Sequence, residues 1–187
     1  LYLDYVDRSR CLRVSRNWLS DGSKARFWRV FDARKLFKSY GAEKGKRRLK
    51  ELLDEAKEKD SRWSELETIN FECCKQVFDK DIEAIIRTQH LKYINLNAAH
   101  GISSLAIEKL LTRCPNLERI ELFWHPRLTD SVLQALAKSK SSQNLVWLNL
   151  SGCQSLTDTG LEHILRACPR IHHIDITRCP KLTDTTL

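Results

Sequence analysis

Methionine is absent from this 187-residue chain, and so is any apolar run long enough to cross a bilayer. The second absence leaves no segment of the roughly 18 apolar residues that a membrane-spanning helix needs. The first, with Leu1 at the start, leads us to expect a fragment, and a targeting peptide ahead of it stays open. Cys-x-x-Cys spacing is missing although seven Cys are present; the number is odd, and Cys73 and Cys74 are adjacent. Such usage fits free thiols in a reducing compartment, cytoplasm or nucleus, better than a disulfide framework. There is no Gly-rich phosphate loop, no G-x-S-x-G and no paired-carboxylate motif, so no catalytic residue and no cofactor is expected. His172 and His173 are neighbours on a strand-like stretch, where successive side chains point to opposite faces and cannot share a metal. His172 with Cys179 is a weak metal pairing, and the Cys are accounted for by their repeat position, so no metal is expected.

What is present is a soluble globular composition, 42% apolar and 30% charged, with an uneven charge. Residues 1–60 hold 17 Lys/Arg against 10 Asp/Glu, and the remainder holds 15 against 14. A basic first part and a nearly neutral second part therefore meet near residue 60.

The second part repeats itself. Units begin at Leu66, Leu91, Leu117, Leu145 and Ile171, in steps of 25, 26, 28 and 26 residues, each opening L-x-x-I/L-x-L: "LETINF", "LKYINL", "LERIEL", "LVWLNL", "IHHIDI". Apolar residues recur eleven positions on, at Val77, Ile102, Leu128, Leu156 and Leu182, and sixteen on, at Ile82, Ile107, Leu133, Leu161 and Leu187. Alternation over six residues makes a short strand with one buried face. Leu161, Ile164, Leu165 and Cys168 then mark one face of a helix. Asp130, Asp158 and Asp184 fall just before such patterns, where an Asp can cap free N–H groups. Pro115 and Pro169 stop their helices. Eight positions after each start lie Cys74, Ala99, His125, Cys153 and Cys179, where a small semi-polar side chain can be buried as the chain turns.

A period in the twenties with this core is the leucine-rich-repeat signature. "LVWLNLSGCQSLTDTGLEHILRACP" resembles the cysteine-containing subfamily, over roughly residues 63–187. The fold expected is an α/β solenoid of about five strand–helix repeats with a parallel sheet on its concave face. The third repeat departs from the pattern with "FWHPRL", and the chain stops inside a fifth repeat, so a cap or further repeats are expected to be missing. On the concave face, strand position three stacks Thr68, Tyr93, Arg119, Trp147 and His173; position five gives Asn70, Asn95, Glu121, Asn149 and Asp175; position seven gives Glu72, Asn97, Phe123, Ser151 and Thr177. Tyr, Trp and Arg dominate binding hot spots. Tyr93, Arg119, Trp147, His173, Phe123 and Glu121 are therefore the candidate contacts for a protein target. The plainer alternative is that Arg119 stacks between aromatics to protect the sheet face.

The opening stretch "LYLDYVDRSRCLRVSRNWLSDGSKARFWRV" resembles an F-box, at Leu3, Asp4, Arg10, Cys11, Val14, Ser15, Arg16, Trp18 and Trp28. The leucine–proline helix that begins an F-box, and that carries much of its contact to the Skp-family linker, would precede Leu1. The reading is thus an F-box-like helical module at 1–40, a basic amphipathic connector at 41–62 and leucine-rich repeats at 63–187. In the connector, Leu49, Leu52, Leu53 and Ala56 follow helical spacing behind the basic entry "KGKRR". With no interleaved aromatics, its expected role is a solvated face rather than nucleic-acid binding. An F-box followed by leucine-rich repeats resembles the substrate receptors of SCF-type ubiquitin ligases. The resemblance implies a linker and a cullin as partners, a target protein on the repeats and catalysis by proximity. The alternative is a non-catalytic scaffold subunit of a large assembly, ciliary (axonemal) or organellar.

Overall fold

The L-x-x-I/L-x-L pattern produces strands only three residues long, and their stability depends on what lies beside them. In the computed structural model, which describes residues 29–55, 62–86 and 89–184, β1 is Val30–Asp32, β2 Thr68–Asn70, β3 Tyr93–Asn95, β4 Arg119–Glu121, β5 Trp147–Asn149 and β6 His173–Asp175. They form one six-stranded parallel sheet in sequence order. The helices between them are α1 Ala33–Glu55, α2 Asp79–Ile85, α3 Ser104–Arg113, α4 Asp130–Lys138 and α5 Asp158–Ala167. This is the α/β leucine-rich-repeat solenoid expected from the spacing.

The register follows the repeat alignment residue for residue: Thr68, Tyr93, Arg119, Trp147 and His173 pair in succession. Positions four and six point at the helices and are fully buried, as at Ile94, Leu96, Ile120, Leu122, Leu148 and Leu150. Val77, Ile102, Leu128 and Leu156, with Ile82, Ile107, Leu133 and Leu161, close the same core from the turns and helices. Burying each such side chain stabilises the fold by about 1.5–3 kcal/mol, so the continuous apolar column carries most of the cohesion.

Polar groups are satisfied from repeat to repeat. Beyond the strand, the N–H of position six bonds the position-five carbonyl of the next repeat, as in Leu96 to Glu121 and Leu122 to Asn149. The N–H of position eight bonds the next position-seven carbonyl, as in Ala98 to Phe123 and Trp124 to Ser151. Position eight reaches that geometry with a positive φ at Cys73, Ala98, Trp124, Gly152 and Arg178, and only one of the five is Gly. At position nine the side chain completes the turn. Cys153 Sγ donates to the Leu122 carbonyl at 3.3 Å and Cys179 Sγ to the Leu150 carbonyl at 3.2 Å, while in the third repeat His125 Nε2 does the same to Leu96 at 2.7 Å. A carbonyl only accepts, so His125 carries its proton on Nε2.

The helix-start aspartates act differently from the expected caps. Asp130 and Asp158 are the first residues of α4 and α5, and each reaches forward to the next repeat. Asp130 accepts the Thr157 N–H at 3.0 Å and its hydroxyl at 2.6 Å, and Asp158 accepts the Thr183 N–H at 2.9 Å and its hydroxyl at 2.6 Å. Asp79 clamps Ser103 in the same way, at 2.7 Å to both groups. Gly160 leaves the space this requires: a Cβ there would lie 2.4 Å from Asp130 Oδ1. Leu165, placed on the packed helix face from its spacing, is 41% exposed, whereas Leu161, Ile164 and Cys168 are buried.

The division at 40 and 62 also differs from what the structure shows. β1 pairs with β2, and Phe31, Leu36, Leu49, Leu52 and Leu53 belong to the common core. The basic connector is thus the helix of an additional strand–helix unit at the edge of the sheet. α1 bends at Gly41, whose φ of 73° and ψ of 176° lie in a region essentially confined to glycine. Gly45 lets the bend close, since a Cβ there would meet Phe37 at 2.6 Å. Trp63, buried against Phe31 with ring centroids 4.9 Å apart, fills this end of the core. The F-box-like residues Leu3, Asp4, Cys11, Val14, Trp18 and Trp28 lie outside the described residues, as do Ala56 and Leu187.

Two outcomes follow. Gly160→Ala on an exposed helix would stabilise by about 1 kcal/mol. Here it displaces the Asp130 clamp, and losing charge-assisted hydrogen bonds costs about 1.5–3 kcal/mol. Urea denaturation should show Gly160→Ala costing clearly less in an Asp130→Gly background, which removes the clamp and the side-chain carbons 2.6 and 3.0 Å from the new Cβ, than in the parent; an equal cost in both would disprove the clamp. The second outcome is a pH effect. Burial holds His125 below the usual imidazole value, opposed by its bond to Leu96. A His with a depressed folded pKa contributes stability above the unfolded value of about 6.5 and loses it as pH falls through that range. Melting temperatures taken across that range should fall towards acid, and His125→Cys should flatten the slope.

Candidate functional site

The face of the sheet opposite the helices carries the position-three row. Tyr93, Arg119, Trp147 and His173 come from adjacent strands, which lie about 4.8 Å apart, a spacing that lets flat groups stack. The Arg119 guanidinium lies 5.4 Å from the Tyr93 ring and 4.1 Å from the Trp147 ring. His173 stacks on the other side of Trp147, with centroids 3.6 Å apart and planes 12° from parallel. The four form one continuous strip, bordered by Lys92, Glu118, Val146 and His172 in a shallow open depression. Arg119 and His173 are exposed, and Tyr93 and Trp147 half-buried. Trp147 Nε1 is buried without a hydrogen-bond partner, so the indole is held by its faces and not by its polar edge.

Position five explains how Arg119 is held. In the other four repeats a short Asn or Asp folds back on its own turn: Asn70 accepts the Glu72 N–H at 2.9 Å, Asn95 the Asn97 N–H at 2.9 Å, Asn149 the Ser151 N–H at 3.0 Å and Asp175 the Thr177 N–H at 3.0 Å. Glu121 is one methylene longer and does not; the Phe123 N–H goes to Asn97 Oδ1 at 2.8 Å instead. The freed carboxylate takes Arg119 Nε at 3.0 Å and Nη2 at 2.7 Å on one oxygen, and Asn149 Nδ2 at 2.9 Å on the other. With 5% exposure Glu121 is not available as a contact, and the expectation that it meets a target is corrected: it positions Arg119.

Phe123 stands apart from the strip. It is half-buried beyond the strand, with its ring 5.8 Å from that of Trp124. Trp124 is 42% exposed on a positive φ, and its ring covers Gly152, where a Cβ would sit 2.9 Å away. Phe123 was legible from its strand position. The packing of Trp124 was not, because it depends on the glycine of the next repeat.

The cysteines offer no chemistry to this face. The six described are free, and burial pushes the thiols of Cys74, Cys114 and Cys153 up to about 12 and that of Cys168 to about 11. These four stay protonated and act as small donors and packing groups. Among the described residues, no group of three His, Cys, Asp or Glu is placed to hold a metal ion, and no helix is long and apolar enough to cross a membrane.

Comparison with known proteins agrees with the geometry. The model of the Leucine Rich repeat family matches residues 141–165, the unit containing β5. F-box/LRR-repeat protein 5 of Bos taurus is 35% identical over 77 residues, 41% of this chain and 11% of that protein. F-box/LRR-repeat protein 4 of Bos taurus is 28% identical over 111 residues, 58% of this chain and 18% of that protein. The chain therefore spans less than a fifth of the length of these curated relatives. Among solved structures, the Rad7 and Elc1 complex in yeast matches with a TM-score of 0.58 at 19% identity, covering 66% of this chain and 31% of that one, which speaks for the fold alone. The chain is a stack of leucine-rich repeats similar, over part of its length, to those of the F-box/LRR-repeat proteins.

Proposed function

We propose that this protein is a non-catalytic adaptor that holds a target protein on the open face of its repeats, in the manner of a ubiquitin-ligase substrate receptor. The observation that carries the reading is the strip of Tyr93, Arg119, Trp147 and His173. Its flat faces are stacked in advance, so little side-chain freedom is lost when a partner covers them. Its centre is a Trp and an Arg, the residue types that carry most binding energy at protein interfaces. The similarity to F-box/LRR-repeat proteins supports the ubiquitin context, with a Skp-family linker and cullin reached through the F-box-like residues Leu3 to Trp28. Delivery then works by proximity: a target held beside the ubiquitin carrier reacts at a high effective concentration, with no reacting group supplied by this chain.

The strip is tested by separating affinity from stability. Trp147→Ala should weaken target binding by at least about 2 kcal/mol, the hot-spot threshold, measured by titration calorimetry. It should lower unfolding free energy by only about 1 kcal/mol, because two stacking contacts are lost rather than core packing. Arg119→Ala should behave differently. It takes the main partner from the buried Glu121, and should destabilise by about 1–2 kcal/mol, the lower part of the range for a lost charged hydrogen bond because Arg119 is half in water. Restoring stability with Glu121→Gln in that background would confirm the pairing. Unchanged target affinity in Trp147→Ala would move the site off the strip. The ubiquitin context is tested by co-purification: a Skp-family linker should be retained by the protein and lost in Trp18→Ala. Target binding with no linker retained by the parent protein would favour a scaffold.

A further inference from the structure

The basic stretch of α1 has no part in the open face, yet the fold gives it a definite setting. α1 and α2 lie side by side on the helical side of the solenoid, and a groove of about 410 Å³ runs between them. Its floor is apolar, made by Leu49, Leu53 and Ala84. Its walls are cationic: Lys46, Arg47 and Lys50 stand on α1 and Lys80 on α2, all four exposed. None of the four forms an ion pair among the described residues. Nearby Arg48, by contrast, holds Glu51 at 2.7 Å. Three carboxylates also line the groove, Glu43, Asp54 and Asp81; Asp81 accepts the Phe78 N–H at 2.9 Å, and Asp54 is also engaged.

We propose that this groove docks an acidic segment of a protein partner, one that carries a leucine-sized side chain between its carboxylates. Cations on both walls, with an apolar floor between them, match an occupant that presents negative charge to either side and an apolar group downwards. Lys46 and Lys50 are one helical turn apart on the same face of α1, and Lys80 answers them across the groove, so charge is offered at discrete points. That arrangement suits spaced Asp or Glu side chains better than a nucleic-acid backbone. A nucleic-acid strand would bring phosphates but no aliphatic side chain for the floor, and the one aromatic beside the groove among the described residues, Phe78, is already covered by Lys46, 5.3 Å from its ring centroid. The bend at Gly41 shapes the wall, since it allows the basic half of α1 to lie over the core through Leu49, Leu52 and Leu53. This surface is separate from the position-three strip and does not depend on what the strip binds.

The test uses the whole chain and defined probes: a short fluorescent peptide of Glu and Ser with one central Leu, the same peptide with Ser in place of Leu, a single-stranded oligonucleotide of equal charge, and vesicles containing phosphatidylserine. Fluorescence anisotropy should show the Leu peptide binding at least about tenfold more tightly than the Ser peptide, the scale expected for burying one such side chain. Lys50→Glu with Lys80→Glu should weaken it at least about tenfold, while Lys140→Glu, away from the groove, should leave it unchanged. All three are exposed positions, so melting curves should match the parent and folding is not in question. Equal affinity for the two peptides would overturn the proposal by showing that the patch responds to charge alone. Tighter binding to the oligonucleotide or the vesicles, or indifference to the groove substitutions, would overturn it as well.

Discussion

Each repeat here exposes polar groups that only the next repeat can satisfy, and the rest of the structure depends on that dependence. A three-residue strand turns a single side chain, position four, to the core and cannot hold itself. The main-chain ladder, however, runs on past the strand, through positions six and eight, and the position-nine side chain reaches back to the preceding repeat. The carboxylate clamps repeat the same logic at the helix starts, from Asp79 to Ser103, Asp130 to Thr157 and Asp158 to Thr183. The consequence is a tightly fixed register. A one-residue slip would turn the buried column outward and break all of these contacts together. A strip of stacked side chains on the open face is possible only because the register is held from behind.

The series is not uniform, and the exceptions can be ranked. The second repeat has Ser104 where its neighbours place an aspartate, and no carboxylate there bridges to Thr129. Instead Thr129 contacts Ser131, which donates to Glu108. One interaction has been replaced by a longer relay at the same junction. Stability in a solenoid is nearly a sum of such nearest-neighbour terms, and here Ser104 Oγ adds a further bond across the same junction, donating to the Arg127 carbonyl at 3.3 Å.

Much of this was legible in the sequence, and the reason is periodicity. The position-three strip, the buried cysteines and the core offsets all follow from aligning five openings, because a repeat fixes which residues become neighbours before any coordinates exist. The edge unit was not legible. From Phe31 to Ile69 the step is 38 residues, against 25 to 28 for the later ones, because α1 is long and bent. Position six of that unit is Ala33, where the others carry Phe, Leu or Ile, so neither length nor pattern announced it. The aspartates were misread for a different reason. A cap is a local rule, whereas their partners lie 24 to 27 residues away. Glu121 looked like an exposed contact because strand alternation gives the face and not the depth; its burial comes from Arg119 and Asn149 lying across it.

The third repeat gathers the remaining departures. Glu121 replaces the short amide or Asp of position five, Trp124 takes a left-handed position, and His125 takes the place of a cysteine. Each breaks a local preference, and each has its compensation: Asn97 caps the turn that Glu121 leaves open, Gly152 makes room for Trp124, and Leu96 accepts the His125 proton. A sequence that is consistent elsewhere and departs three times within five residues, with support from both neighbouring repeats, does so where packing alone does not decide the residue. The same strand carries Arg119, which Glu121 orients and on which Tyr93 and Trp147 stack from either side. A purely protective stack would not need the buried carboxylate, since two aromatic rings would cover the sheet at lower desolvation cost. Fixing a cation at the centre of the strip is what that carboxylate adds, and on the proposed adaptor reading the third repeat is the centre of the target-binding face.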